Sequence, residues 1–309
     1  MSRTCTAPDE LLDATADQPS ARGPQRRTVS GGPAAGHEVL SNPASARISR
    51  VAGLSRRNVR NKHRRFLVEG PQGVREAVRH ASDRVLDVYL TEAAVRRHGE
   101  IWQEAVAAKL YVHVTSEQVM EAMSTDAQGV LAVVATEETT GSEALAIALE
   151  GARLVAVLTQ AQDPGNAGTI IRAADAAGAD AVVLVRGSVD PTAPKVVRST
   201  AGSLFHLPVV TGVALDDAVT ALHEAGLTVL AADGRGDFNL FEAESLLEAP
   251  SGWLLGNETH GLPSEALTRA DAVVSIPLYG KAESLNVAAA AAVCLYASAR
   301  AQAQNSGRS

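Results

Sequence analysis

From residue 154 onward, six short apolar runs recur, at 154–158, 181–185, 206–210, 227–232, 252–255 and 272–276. Turn residues bound them, and segments of helical period, 167–177 and 215–225 among them, separate several. Strands that are apolar at every position, rather than at alternate ones, are covered on both faces, so a parallel sheet flanked by helices follows. In such sheets ligands sit outside the carboxyl ends of the strands. The residues that follow each run therefore carry the question of function.

The chain has 309 residues, 46% of them hydrophobic, enough for two domains. Residues 1–43 are rich in Ala, Pro, Gly and Ser without an apolar period and read as a disordered tail. Residues 44–136 read as a small α/β domain with strands at 65–70, 85–90, 111–114 and 130–135 and helices at 71–80 and 91–110. A polar linker spans 137–150, and the second domain spans 151–304. No apolar run is long enough to cross a bilayer, and the N-terminus lacks the layout of a secretory signal, so no membrane partner is expected. Cys5 and Cys294 stand too far apart to staple a secreted scaffold, which points to a reducing cytoplasm. Neither the cysteines nor the eight histidines show metal-ligand spacing, so no metal is expected.

The net charge is -7, yet residues 44–80 hold ten basic residues against two acidic ones. Such a concentration in an acidic chain suits a polyanion, with Arg56, Arg57, Arg60, Arg64 and Arg65 as the RNA-facing set; a solvated basic helix face is the plainer alternative. Aromatic residues make up only 3%, so base stacking is not the main means of holding nucleic acid.

Neither a dinucleotide-binding nor a P-loop glycine motif is present. Instead, Asp163-Pro164-Gly165-Asn166-Ala167-Gly168 follows the first run, with Arg172 further along a helix that Asn166 can cap. An unpaired guanidinium among Ala and Ile needs solvent, a phosphate or a carboxylate, and Asp175 three residues on is the nearest such partner. Gly256-Asn257-Glu258-Thr259-His260-Gly261-Leu262-Pro263 follows the fifth run, and Ser284-Leu285-Asn286-Val287 opens an Ala-rich final helix.

Together, in this order, these segments resemble the three motifs of the SpoU (TrmH-like) branch of the SPOUT methyltransferases. Lys195 through Pro208 is similar to a fourth stretch of that family, so the resemblance covers 154–300. Thr259-His260 departs from the family, which often has Gly-Arg there. The resemblance implies an α/β domain with a deep trefoil knot, a homodimer formed through it, and S-adenosyl-L-methionine held by Leu255, Gly256, Ile276, Leu278 and Leu285. It implies that Arg172 is the catalytic arginine, with Asn166, Glu258, Ser284 and Asn286 positioning the reactants. The stretch Arg65-Phe66-Leu67-Val68-Glu69-Gly70 after the basic lead-in resembles the start of the family's ribosomal-protein-like RNA-binding domain, and Lys195 and Arg198 join the RNA-facing set. The implied activity is 2′-O-methylation of RNA ribose, on 23S ribosomal RNA first, with transfer RNA as the alternative substrate and a non-catalytic ribosome-assembly role as the alternative class.

Overall fold

The computed structural model describes residues 38–257 and 261–306. Most of the stretch read as a tail, and Glu258, lie outside the described residues. The first domain runs α1 (Ala46–Gly53), α2 (Arg57–His63), β1 (Arg65–Glu69), α3 (Pro71–His80), β2 (Val85–Thr91), α4 (Glu92–Arg97), α5 (Gly99–Ala107), β3 (Tyr111–Thr115), α6 (Glu117–Met123) and β4 (Val130–Ala135). Its sheet has the order β1-β4-β2-β3, antiparallel around β4 and parallel between β2 and β3. Side chains alternate across it. Phe66, Val68, Ala132 and Val134 pack with Val74, Ile101 and Trp102 on one face, while Leu67, Leu131 and Val133 meet Ile48, Val51 and Met120 on the other. The helix expected over 91–110 is two helices broken at His98, whose φ of -125° is not helical. Leu40, within the stretch read as tail, takes the amide of Ser116 at 3.0 Å and donates to the Val114 carbonyl at 2.9 Å.

The second domain runs α7 (Ser142–Ala148), β5 (Leu154–Leu158), α8 (Pro164–Ala176), β6 (Ala181–Leu184), α9 (Pro194–Thr200), a single 3-10 turn (Ser203–Phe205), β7 (Val209–Thr211), α10 (Leu215–Glu224), β8 (Thr228–Ala232), β9 (Phe238–Asn239), α11 (Glu244–Leu247), β10 (Ser251–Leu255), α12 (Ser264–Arg269), β11 (Ala272–Ser275) and α13 (Val287–Ser306). All of its strand pairs are parallel, in the order β7-β6-β5-β10-β8-β11-β9. One face packs Ala156, Leu158, Leu184 and Trp253 against α8 and α13, and the other packs Val155, Val157, Val183 and Leu254 against α7 and α10. The strand expected at 206–210 starts late, at Val209, because Pro208 has no N–H to give a ladder. The stretch read as linker contains α7, whose Leu145 is buried in the second core. Trp253 at the sheet centre donates Nε1–H to Ser298 Oγ at 2.9 Å, which ties α13 to β10. Among the described residues no helix is long and apolar enough to cross a membrane.

Helix α8 meets α9 at Gly168. A Cβ there would stand 2.5 Å from Ser199 Cβ and 2.6 Å from the Val196 carbonyl oxygen. Gly168→Ala is therefore expected to force the two helices apart and to cost about 1–3 kcal/mol, read as a lowered midpoint in thermal or urea unfolding. An unchanged midpoint would mean that α9 yields freely.

Candidate active site

The carboxyl edge of the second sheet is where the three motif segments come together. Asp163 caps α8: its Oδ1 accepts the Asn166 amide at 2.8 Å, and Pro164 occupies the first helical position. The cap is thus Asp163 and not Asn166, as expected from the loop alone; the Asp-Pro pair was the available signal. The Asn166 N–H, with Lys195 nearby, holds the Asp163 carboxyl below its usual range. Asn166 sits inside the first turn with its side chain free for another task. Its Oδ1 accepts Nδ2–H of Asn286 at 3.1 Å. Asn286 in turn caps α13, its Oδ1 taking the amides of Ala288 at 2.9 Å and Ala289 at 3.3 Å. Two helix N-termini, each with a partial positive charge, therefore converge on one side-chain pair.

Arg172 is exposed, and among the described residues its side chain forms no hydrogen bond or ion pair. Asp175, which the sequence offered as an alternative ion-pair partner, is engaged by His206 instead, at 2.8 Å. Residues six apart on a helix differ by about 240° around its axis, so Arg172 and Asn166 do not share a face of α8. The structure joins Asn166 to Asn286 and leaves Arg172 on an open surface.

At the end of β10, the Thr159 amide and Oγ1–H both donate to the Leu255 carbonyl, each at 2.9 Å. Asn257 Nδ2 donates to the Gln160 carbonyl at 2.8 Å, and Asn257 and Gly261 exchange backbone bonds of 2.9 and 3.0 Å that close the loop. A Cβ on Gly256 would stand 2.5 Å from the carbonyl carbon of Gly261. The missing side chain at Gly256 thus lets the chain's own loop pack closely against it. Leu255 is buried, and Ile276 is half-buried against the core. Beyond Ile276, residues 277–285 form no backbone–backbone hydrogen bond among the described residues. Leu278 and Leu285, 41% and 42% exposed, flank that stretch, with Ser284 exposed beside them. The backbone donors and acceptors of this stretch face solvent between two uncovered leucines.

The basic set divides. Arg60 is 4% exposed and fully committed: it donates to Asp190 at 2.6 Å, Thr192 at 3.2 Å and the carbonyls of Ser55 and Leu54 at 2.8 and 3.3 Å. Burial pushes the Asp190 carboxyl up, but bonds from Thr192 and Arg60 outweigh this and hold it below its usual range. Arg198 pairs with Glu69 and, at 3.0 Å, with Asp126. These two arginines join the first domain to the second; Arg60, buried and held by four acceptors, is a structural residue rather than the RNA-facing one the sequence reading expected, whereas Arg198 remains partly exposed. Arg64 pairs with Glu138, and Lys195 lies 3.7 Å from Asp163, but both are largely exposed, and exposed pairs hold weakly. Arg56, Arg57 and Arg65 are exposed and their side chains have no partner among the described residues. A cleft of about 450 Å³ opens between the domains, with Arg57, Arg64 and Arg84 on one side and Arg186, Ser188 and Asp190 on the other.

Fold and site together define a class: an α/β protein whose motif segments meet at the carboxyl edge of a parallel sheet, with a domain carrying exposed arginines ahead of it. Residues 153–296 match the SpoU rRNA Methylase family, and residues 45–132 match the MRM3-like substrate binding domain. An uncharacterized tRNA/rRNA methyltransferase of Synechocystis is 33% identical over 71% of this chain and 82% of its own length. The RlmB 23S rRNA (guanosine-2′-O-)-methyltransferase of Pseudomonas syringae is 31% identical over 75% of this chain and 94% of its own. The RlmP 23S rRNA (guanosine(2553)-2′-O)-methyltransferase of Bacillus subtilis is 42% identical over 48% of this chain, a match that spans only 58% of RlmP. The crystal structure of the SpoU methyltransferase AviRb from Streptomyces viridochromogenes in complex with AdoMet superposes with a TM-score of 0.71 at 30% identity, covering 84% of this chain and all of that one. The chain belongs to the SpoU methyltransferase family.

Proposed function

We propose that this protein is a cytoplasmic S-adenosyl-L-methionine-dependent methyltransferase that modifies a ribose 2′-oxygen of 23S ribosomal RNA. The observation that carries the reading is the Asn286–Asn166 hydrogen bond, which links the first and third motif segments beside the unpaired backbone of 277–285 and on the helix that bears Arg172. Leu255, Gly256, Ile276, Leu278 and Leu285 would hold the cofactor, which supplies a methyl carbon made electrophilic by its sulfonium. What is left to the chain is to orient the ribose 2′-hydroxyl and to ease loss of its proton.

Arg172 suits that task as a permanent cation. A guanidinium does not accept the proton; by gripping the neighbouring phosphate with a fork of N–H groups it fixes the ribose and stabilises charge growing on the 2′-oxygen. Asn166 and Asn286 brace the loop segments, and Ser284 is assigned, with Glu258, the role of positioning the reactants. The reading includes a homodimer, in which one protomer's Arg172 faces the partner's cofactor loops; the placement of Arg172 and Asn166 on different faces of α8 is compatible with it. The position of β10 between β5 and β8, although it follows both in the chain, supports a trefoil knot around this edge. The substrate follows from the relatives' names and from the basic first domain, in which Arg56, Arg57 and Arg65 supply phosphate contacts.

The test is transfer of labelled methyl to purified ribosomal RNA, ribosomal particles and bulk transfer RNA, with nucleoside analysis of the product. Label in a 2′-O-methylated nucleoside of 23S RNA is expected. Label in transfer RNA alone would replace the substrate, and no label in any of them despite bound cofactor would overturn the reading. Replacing Arg56, Arg57 and Arg65 together by alanine is expected to weaken RNA binding and to flatten the dependence of log K on log salt by about two. An unaltered slope would move the RNA surface elsewhere.

A further inference from the structure

Where α3 meets the second domain, four titratable side chains gather that methyl transfer does not use. Glu76 and His80 stand one turn apart on α3, and His206 follows the 3-10 turn ahead of β7. A Glu76 carboxylate oxygen lies 3.4 Å from Nε2 of His80 and 3.3 Å from Nε2 of His206. The two rings meet edge to face, 4.7 Å between centroids, and the three donor atoms all lie within 4.8 Å of one another. On its other side, Nδ1 of His206 is 2.8 Å from Oδ2 of Asp175 on α8.

Asp175 decides what His206 presents. An ionised carboxylate only accepts, so Nδ1 carries the hydrogen, and Nε2 is the ring nitrogen turned toward Glu76. A metal ion held between Nε2 and the Glu76 oxygen 3.3 Å away would be ligated by both. Histidines that bind metals characteristically give their second N–H to a carboxylate, which fixes ring and tautomer. Zinc-type bonds of about 2.0–2.1 Å in tetrahedral array put neighbouring ligand atoms about 3.3–3.4 Å apart, the separation of Glu76 from each histidine. Gly202 makes room for this carboxylate: a Cβ there would stand 2.4 Å from Glu76 Cγ.

We infer that Glu76, His80 and His206 form a site for a divalent transition-metal ion of the zinc class. Asp175 orients His206, and water completes the tetrahedron. The ligands come from both domains, and Asp175 lies one turn beyond Arg172 on α8, so the ion staples the RNA-binding domain to the helix that carries the proposed catalytic arginine. The spacing argument made on the sequence did not reach this site, because His206 is brought to α3 only by the fold.

The experiment uses the full-length chain without a histidine tag, stripped with chelator and titrated with zinc chloride by calorimetry and with cobalt(II) by visible absorption. One equivalent per chain, a tetrahedral cobalt spectrum and a raised melting temperature are expected. His206→Gln and Glu76→Gln should abolish the one-equivalent phase, and Asp175→Asn should weaken it by about 10- to 100-fold with its stoichiometry kept. His80→Gln guards against misfolding, since that side chain is 49% exposed; it should lose the tetrahedral spectrum while its circular dichroism stays that of wild type. No stoichiometric binding, which would mean that a proton alone bridges Glu76 and His206, overturns the inference. So does binding that these substitutions leave unchanged.

Discussion

Arg172→Ala is expected to lower methyl transfer by about 10³-fold while S-adenosyl-L-methionine binds with near wild-type affinity. The side chain is exposed and unpartnered among the described residues, so its removal leaves no buried group unsatisfied and should change stability by less than about 0.5 kcal/mol. A lost rate therefore cannot be read as a lost fold. The residues proposed to hold the cofactor lie on other elements, which predicts that calorimetric titration with the cofactor is unaffected. Arg172→Lys separates charge from geometry: an ammonium keeps the attraction for phosphate but not the planar fork, and should recover part of the rate. Turnover within a few-fold of wild type in Arg172→Ala would remove this residue from the mechanism.

Arg60→Leu should act in the opposite manner, on the fold. It strands Asp190, whose side chain is 14% exposed, without its main charge partner, and breaking a buried pair from one side costs about 3–5 kcal/mol. The sign of the pH dependence follows from Asp190. Its folded carboxyl titrates below the ordinary 3.8, so the stability it contributes is complete above that value and is lost as pH falls through the lower, folded one. Urea unfolding of wild type and variant across acid pH should show their difference shrinking as Asp190 becomes protonated. A loss below about 1 kcal/mol at neutral pH would mean that Thr192 and the solvent hold Asp190 unaided. The salt dependence of RNA binding by the folded variant should stay close to wild type, in contrast to the Arg56, Arg57 and Arg65 triple variant.

Arg56 and Arg60 illustrate what a sequence does and does not disclose. Both are arginines in the same basic run, and composition treats them alike. One is exposed, and the other is buried by a carboxylate 130 positions away, a partner that local pattern cannot supply. The apolar runs, by contrast, disclose their strands because burial on both faces is written into each residue; β5 and β10 fall within one residue of where periodicity puts them. Strand order is not written that way, since Ser251 finds Leu154 only through the whole fold. At the site, the motif segments were legible as loops, but the bond between Asn166 and Asn286 and the separation of Arg172 from it depend on how α8 and α13 pack. Asp163 was legible from Asp-Pro and was passed over for the neighbouring Asn.

The seat of β10 between β5 and β8 bears on how the chain is made. Both neighbours leave the ribosome first, and each must leave an edge unpaired until residues 251–255 arrive. Their apolar edges fit each other well enough to pair prematurely, and such a pairing would have to be undone before the native sheet could close. Refolding from denaturant should accordingly be slow, on the order of seconds or longer, and should lose yield as protein concentration rises.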